Sequence, residues 1–412
     1  MRQGEGMRAR PERSAAHVVL IGGDGIGPEV VEAAAQCLEE AANLAGREVR
    51  FTRAAGGGEA IDRGLGPMPD ATIQACLHSD GVLLGAVGGP RWDRLPGALR
   101  PEAGLLELRR ALGAFANIRP VRLFEGLEDA TPLRPEVARG TDLVIVRELL
   151  GGLYYGARGR RDQDGRILAF DTMEYADVEI DRVARFAFEL ARKRRRKLCL
   201  VDKANILETS RLWRERVESL AGEYPDVECT YQYVDSCAMK LVQSPRSLDV
   251  LLCENTFGDI LSDEAAVLAG SLGMLASASI GGPVGLYEPV HGTAPDIAGQ
   301  GLANPIGAIL SAALLARLDL QWDDVAAMIE EAVAATLQEG FRTRDLVAGR
   351  ATEGAGGGAG TPAVRVVGTR EMTAQILERL PLFASRTGDD ARRTTRGDGG
   401  RDHGIPGTGG RR

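Results

Sequence analysis

Short apolar runs, separated by amphipathic stretches, set the pattern of this chain. Residues 17–21, 81–87, 142–146, 197–201 and 248–252 are apolar at nearly every position instead of at alternate ones. A strand covered on both faces reads that way, as in a parallel sheet packed between helices. Between these runs, residues 103–111, 177–192 and 208–222 repeat apolar side chains at helical spacing and carry charge on the other face. Such alternation predicts an α/β protein.

The first run ends in Gly22-Gly23-Asp24-Gly25-Ile26-Gly27-Pro28. That reads as a strand, a glycine-rich turn, and a helix over 29–42 opened by Pro28, whose missing N–H costs nothing in a first turn. The segment is not the G-x-G-x-x-G dinucleotide fingerprint, because Pro28 stands where the third glycine is required. Residues 154–170 differ in kind. Arg158, Gly159, Arg160 and Arg161 precede the turn Gln163-Asp164-Gly165, and Arg166-Ile167-Leu168-Ala169-Phe170 follows it. Asp-Gly between two such segments predicts a β-hairpin arm. An arm without a core of its own needs covering, which points to a dimer. The uncharged run 265–287 is long enough to span a bilayer. It is rich in Ala, Gly and Ser and broken by Gly281-Gly282-Pro283, so it reads as a buried core helix running into a loop. Residues 1–16 read as a flexible polar leader and 354–360 as a Gly/Ala linker. One more helix is expected within 361–382, and 383–412 reads as a disordered Gly/Arg-rich tail.

Composition narrows the classes. The 412 residues leave room for two domains, and a net charge of -8 argues against a nucleic-acid partner. No membrane partner is expected either. The six cysteines form no C-x-x-C pair and the four histidines no closely spaced set, so neither zinc nor a disulfide framework is expected. A reducing cytoplasm is the simplest compartment. The basic run 192–196 closes a helix, where cations suit the negative end of the dipole.

Chemistry concentrates in Asn255-Thr256-Phe257-Gly258-Asp259-Ile260-Leu261-Ser262-Asp263. Asp259 and Asp263, four apart, leave the same face of a helix one turn apart. Two hard oxygen ligands on one rigid face make half of a Mg²⁺ or Mn²⁺ site. Taken alone, the pair could equally be a solvated acidic helix start. Arg109, Arg119 and Arg147 sit at element ends, where guanidinium groups could grip carboxylates bidentately or simply pair at the surface. Lys203, in Val201-Asp202-Lys203-Ala204-Asn205, ends a strand among apolar neighbours. Desolvation there would let it accept a proton from an alcohol; the plainer alternative is a solvated lysine. Tyr154 has a phenol able to donate one. Residues 288–297 form a Gly/Pro-punctuated loop suited to wrapping a nucleotide, in which an acid would accept from a ribose diol. Spacing alone supports a metal-assisted enzyme acting on a small acidic substrate.

Together these segments resemble the β-hydroxyacid oxidative decarboxylases, the isocitrate/isopropylmalate dehydrogenase family, and most closely its isopropylmalate branch. The matching motifs are Gly23-Asp24-Gly25-Ile26-Gly27-Pro28-Glu29, Val87-Gly88-Gly89-Pro90-Arg91-Trp92-Asp93, Phe115-Ala116-Asn117-Ile118-Arg119-Pro120 and Val146-Arg147-Glu148-Leu149. Val201 to Asn205, Tyr233-Val234-Asp235, the Asp259/Asp263 segment and 288–299 complete the set, spanning residues 17–376. The resemblance implies a two-domain α/β/α fold distinct from Rossmann. Residues 17–114 with 270–382 would form the nucleotide-binding domain, and 115–269 the second domain with the dimer contact. It implies oxidation and decarboxylation of 3-isopropylmalate to 2-oxo-4-methylpentanoate, in leucine synthesis, with NAD and Mg²⁺ or Mn²⁺. Sister activities on D-malate or tartrate, and a non-catalytic regulatory homologue, are the alternatives. The chain keeps every residue such a regulatory subunit would be expected to lose: Asp235, Asp259, Asp263, Lys203 and Tyr154.

Residue by residue, the resemblance implies that Lys203 and Tyr154 move protons. Glu102, Leu105, Leu106, Arg109, Arg119, Arg147 and Asp235 would bind substrate, the leucines meeting its isopropyl group. Asn205, Glu288, His291, Gly292, Thr293, Ala294, Pro295, Asp296, Ile297 and Asn304 would bind NAD. Asp259 and Asp263 would hold the metal with Asp235 of a neighbouring copy, and Lys203 would cross the same interface. Two positions depart from the family pattern. Leu150 stands where a threonine is usual, and Glu254 stands where a small residue is usual, adding charge expected near the cofactor.

Overall fold

The computed structural model describes residues 14–347 and 363–384. Its elements run β1 (Ala15–Gly23), α1 (Gly27–Leu44), β2 (Glu48–Arg53), the short α2 (Gly58–Asp62), α3 (Asp70–Leu77), β3 (Gly81–Ala86), α4 (Pro101–Leu112), β4 (Ala116–Arg122), the short α5 (Pro135–Ala138) and β5 (Asp142–Glu148). Then come β6 (Arg158–Gln163), β7 (Arg166–Asp171), α6 (Asp177–Lys193), β8 (Lys197–Asp202), α7 (Glu208–Ala221), β9 (Glu228–Tyr233), α8 (Val234–Gln243), β10 (Val250–Cys253) and α9 (Asn255–Ala266). The chain closes with β11 (Ala276–Ile280), β12 (Leu286–Pro289), α10 (Ile306–Leu318), α11 (Asp323–Gln338), α12 (Thr369–Arg379) and α13 (Pro381–Ala384).

Ten strands form one sheet in the order β2-β1-β3-β12-β11-β4-β5-β10-β8-β9. Pairing is parallel except where β11 meets β12 and β4, and where β4 meets β5. Every residue of β3, β10 and β11 is buried, as expected for strands covered on both faces. On one side α10 packs against α1, α11 and the strands β11 and β12; α6 packs on β5, β10 and β8 at the other end. Apolar on almost all sides, α10 has no solvent face to offer and is buried accordingly.

The run 265–287 corrects an expectation. Helix α9 stops at Ala266, Gly270 takes a positive φ of 93°, and the rest supplies the two strands β11 and β12. A fully buried strand and a buried helix segment look alike in a short uncharged run. No described helix is long and apolar enough to cross a membrane.

The arm is present as an antiparallel hairpin, registered from Arg158↔Asp171 to Gln163↔Arg166. Its turn residues Asp164 and Gly165 both have positive φ, 55° and 76°, as an Asp-Gly turn requires. All of β7 is exposed, including Ile167 at 77%. At the chain ends, β1 already begins at Ala15, inside the expected leader, and Phe383 and Ala384 belong to α13 instead of the tail. Residues 1–13 of the leader, the linker 354–360 and the tail 385–412 lie outside the described ones.

Candidate active site

Adjacent strand ends and one helix build the site. Arg147 stands near the end of β5 opposite Asn117 of β4, and Arg119 lies two residues further along β4. Helix α9 crosses both, because Gly258 lets it rest on Arg147: a Cβ there would come within 2.7 Å of the arginine side chain. Asp259 receives Arg147 Nη1 on one carboxylate oxygen and the Tyr154 hydroxyl on the other, the latter at 2.7 Å. Arg119 Nη2 also reaches Asp259, at 3.4 Å. Arg119 Nη1 bonds Ser262 Oγ at 2.6 Å and approaches Asp263 at 3.5 Å. Behind it, Asn117 accepts from Arg119 Nε at 2.8 Å and donates to Ser279 of β11, fixing the guanidinium plane.

Burial and this crowd of charges shift the titrations. Burial alone would raise Asp259, but Arg147, the Tyr154 hydrogen bond and Arg119 carry its carboxyl below the usual range. Asp263, with fewer cationic neighbours, is pushed up by burial. Burial and then Arg119 push Arg147 down to about 10. Burial and the bond to Asp259 push Tyr154 up to about 12, so the phenol keeps its proton at neutral pH.

Beside this cluster lies a cleft whose walls include Val87, Leu105, Arg109, Arg119, Glu288 and His291. Arg109 is buried and paired with Glu288 at 2.5 Å. A residue expected on the substrate side and one expected on the cofactor side therefore meet directly. Leu105 lines the cleft; Leu106 does not, and its carbonyl accepts from Tyr155. Glu102, in the first turn of α4, is exposed and faces Gly88.

The loop 290–299 closes over the glycine-rich turn after β1. Ile26 N–H donates to the Thr293 carbonyl at 2.9 Å. Gly25 makes this approach possible: its φ is 58°, and a Cβ would sit 2.0 Å from that carbonyl oxygen. His291 and Gly292 line the cleft, and His291 Nε2 has no hydrogen-bond partner among the described residues. Burial pulls its imidazolium pKa down. Ala294 carries a positive φ of 37°, Pro295 and Asp296 are exposed, and Ile297 packs partly on the core. Asn304 is buried, with its amide spent on Asp345, Met274 and the Ile306 N–H.

Three residues expected in the site stand elsewhere on the single chain. Lys203 Nζ bonds Asp235 Oδ1 at 2.6 Å, and Asn205 is exposed in the turn after β8. Within one chain Lys203 meets the Asp235 carboxylate and the Tyr233 ring. Glu254 is buried and accepts the Thr256 and Phe257 N–H groups as the N-cap of α9. Leu150 is half-buried beside Gly151 and Tyr155.

Known proteins resemble this chain over most of its length. The family described as isocitrate/isopropylmalate dehydrogenase matches residues 17–376. The chain belongs to the isocitrate/isopropylmalate dehydrogenase family. It is 52% identical to 3-isopropylmalate dehydrogenase of Moorella thermoacetica, covering 88% of this chain and 98% of that one. It is 49% identical to 3-isopropylmalate dehydrogenase of Aquifex aeolicus, over 88% and 96%. Among solved structures, isocitrate dehydrogenase from Methylococcus capsulatus superposes with a TM-score of 0.76 at 35% identity, covering 89% of this chain and 99% of that one. Within this family fold, α9 supplies two hard carboxylates with no soft ligand beside them, which suits Mg²⁺ or Mn²⁺. No group of three metal-ligating side chains assembles among the described residues of one chain. Asp259 and Asp263 would supply two of the ligands such a cation needs, with Asp259 exchanging contacts it now makes to Arg147 and Tyr154.

Proposed function

We propose that this enzyme, an NAD-dependent decarboxylating dehydrogenase, converts 3-isopropylmalate to 2-oxo-4-methylpentanoate and CO₂ in leucine biosynthesis. The observation that carries this reading is the set of three buried arginines, Arg119 and Arg147 on Asp259 and Arg109 on Glu288, beside an apolar wall, Leu105, in the adjoining cleft. Arginines would hold the two carboxylates, and a leucine wall accepts an isopropyl group but cannot satisfy a third buried charge. Relatives of about half identity carrying the isopropylmalate name point the same way.

Asp259 and Asp263 would hold the divalent cation together with Asp235 from a second copy. When bound, that cation supplies Lewis-acid stabilisation of developing negative charge. Lys203 would take the C2 hydroxyl proton as hydride departs to the nicotinamide. Tyr154, protonated at neutral pH, would return a proton to the enolate carbon after CO₂ leaves. Glu288, His291 and the loop through Ile297 would surround NAD, with Asp296 at the ribose.

A homodimer with shared sites would bring Lys203 and Asp235 to the partner's α9. Their mutual pairing on an exposed surface supports joint delivery. Exposed Met239 and Val242 on α8 and Ile260 on α9 supply an apolar face of the kind a second copy buries. Residues 17–114 with 270–382 would form one domain and 115–269 the other. All six cysteines are free, as suits the cytoplasm.

NAD reduction assayed with 3-isopropylmalate, D-malate, tartrate and isocitrate tests the substrate. The largest kcat/KM is expected for 3-isopropylmalate; a preference for any of the others contradicts the reading.

A further inference from the structure

The start of α9 is held by two residues that touch neither the cleft nor the carboxylates on its next turn. A helix leaves its first N–H groups without partners inside the helix. In α9 three of them are taken by one buried pair. Glu254 accepts Phe257 N–H at 2.7 Å and Thr256 N–H at 3.0 Å. The Tyr175 hydroxyl accepts Asn255 N–H at 3.0 Å and donates to Glu254 at 3.1 Å. Glu254 is 3% exposed and Tyr175 9%. A carboxylate this deeply buried is costly unless its hydrogen bonds are made.

The same pair reaches the loop that carries Tyr154. Gly152 has a φ of 71°, and a Cβ there would lie 2.4 Å from the Tyr175 hydroxyl. The loop therefore lies directly on the tyrosine, whose ring is braced edge-on by Trp213 at 5.3 Å. Asn255, held through its N–H, donates from Nδ2 to the Gly151 carbonyl at 2.9 Å and accepts Arg147 Nε and Nη2 at 3.0 and 2.7 Å. One turn later on the same helix, Asp259 meets Arg147 and Tyr154. An unbroken series of hydrogen bonds thus runs from Glu254 through Tyr175, Asn255 and Arg147 to the metal-side carboxylate.

We propose that Glu254 and Tyr175 are positioning residues, a clamp that sets the register between α9, with Asp259 and Asp263, and the 151–154 loop, with Tyr154. The proposal rests on the metal reading of α9 given above. It assigns Glu254 a purpose opposite to that of a stray charge near the cofactor: it fixes the carboxylates and leaves NAD binding alone.

Tyr175→Phe removes the hydroxyl but keeps the ring on Trp213, and Glu254→Gln keeps the shape but replaces one accepting oxygen with a donor. In the full-length protein, Mn²⁺ binding followed by electron paramagnetic resonance, without substrate or NAD, is expected to weaken about fivefold for each, the effect of losing one hydrogen bond. We expect kcat to fall by about tenfold, since misplacement of catalytic groups is costly, while KM for NAD stays within twofold. Folded variants with Mn²⁺ affinity and kcat both within twofold of the parent overturn the clamp, as does loss of folding in both, which would assign the pair to stability alone. If only one variant folds, that one decides. If the parent binds Mn²⁺ but does not turn over 3-isopropylmalate, the substrate reading fails, yet the Mn²⁺ titrations still decide the clamp.

Discussion

Asp259→Ala is expected to cost on the order of a thousandfold in kcat/KM with Mg²⁺ present, the scale of several kcal/mol of lost metal assistance. It is also expected to destabilise the fold by about 3 kcal/mol, because Arg147 would be left buried without its carboxylate. The Tyr154 hydroxyl would lose its acceptor as well. Asp263→Ala separates the two effects. Its side chain is 64% exposed and only 3.5 Å contact with Arg119 is lost, so activity should fall comparably while stability changes by less than about 1 kcal/mol. Steady-state kinetics and urea unfolding on both variants check this. An active Asp259→Ala enzyme would remove α9 from the mechanism.

Lys203→Met should reduce kcat by about a thousandfold, within the range expected for loss of a positioned proton-transfer group, and leave folding and assembly intact. The ion pair it breaks, with Asp235, faces solvent, and such pairs contribute little to stability. Sedimentation of the variant should match the parent. Activity within tenfold of the parent would show that Lys203 is not the base. The variant also probes sharing between copies: mixed with Asp259→Ala protein under subunit exchange, it should regain part of the activity. Each hybrid dimer would contain one site with both residues intact.

Much of the fold was legible because buried strands and amphipathic helices leave different signatures. The strands β1, β3, β5, β8 and β10 and the helices α4, α6 and α7 fall where apolar patterning predicts them. The strand β4 escaped because Asn117, Arg119 and Pro120 interrupt its apolar pattern. The strand β11 escaped because its small residues lie inside a long uncharged run, and its serines, buried and bonded, do not mark a solvent face. In the site, the i,i+4 spacing of Asp259 and Asp263 and the arginines at strand ends were readable. The contacts of Lys203 with Asp235 and of Arg109 with Glu288 were not, since each joins residues distant in sequence. Glu254 looked like an intrusive charge because a sequence shows a carboxylate but not the helix N–H groups it caps.

Removal of divalent ions tests the central claim most directly. Protein stripped with EDTA and passed into metal-free buffer should reduce NAD with 3-isopropylmalate at less than about a thousandth of its normal rate. Addition of Mg²⁺ or Mn²⁺ should restore turnover, but not in Asp259→Ala. Full activity in the stripped protein would contradict the account.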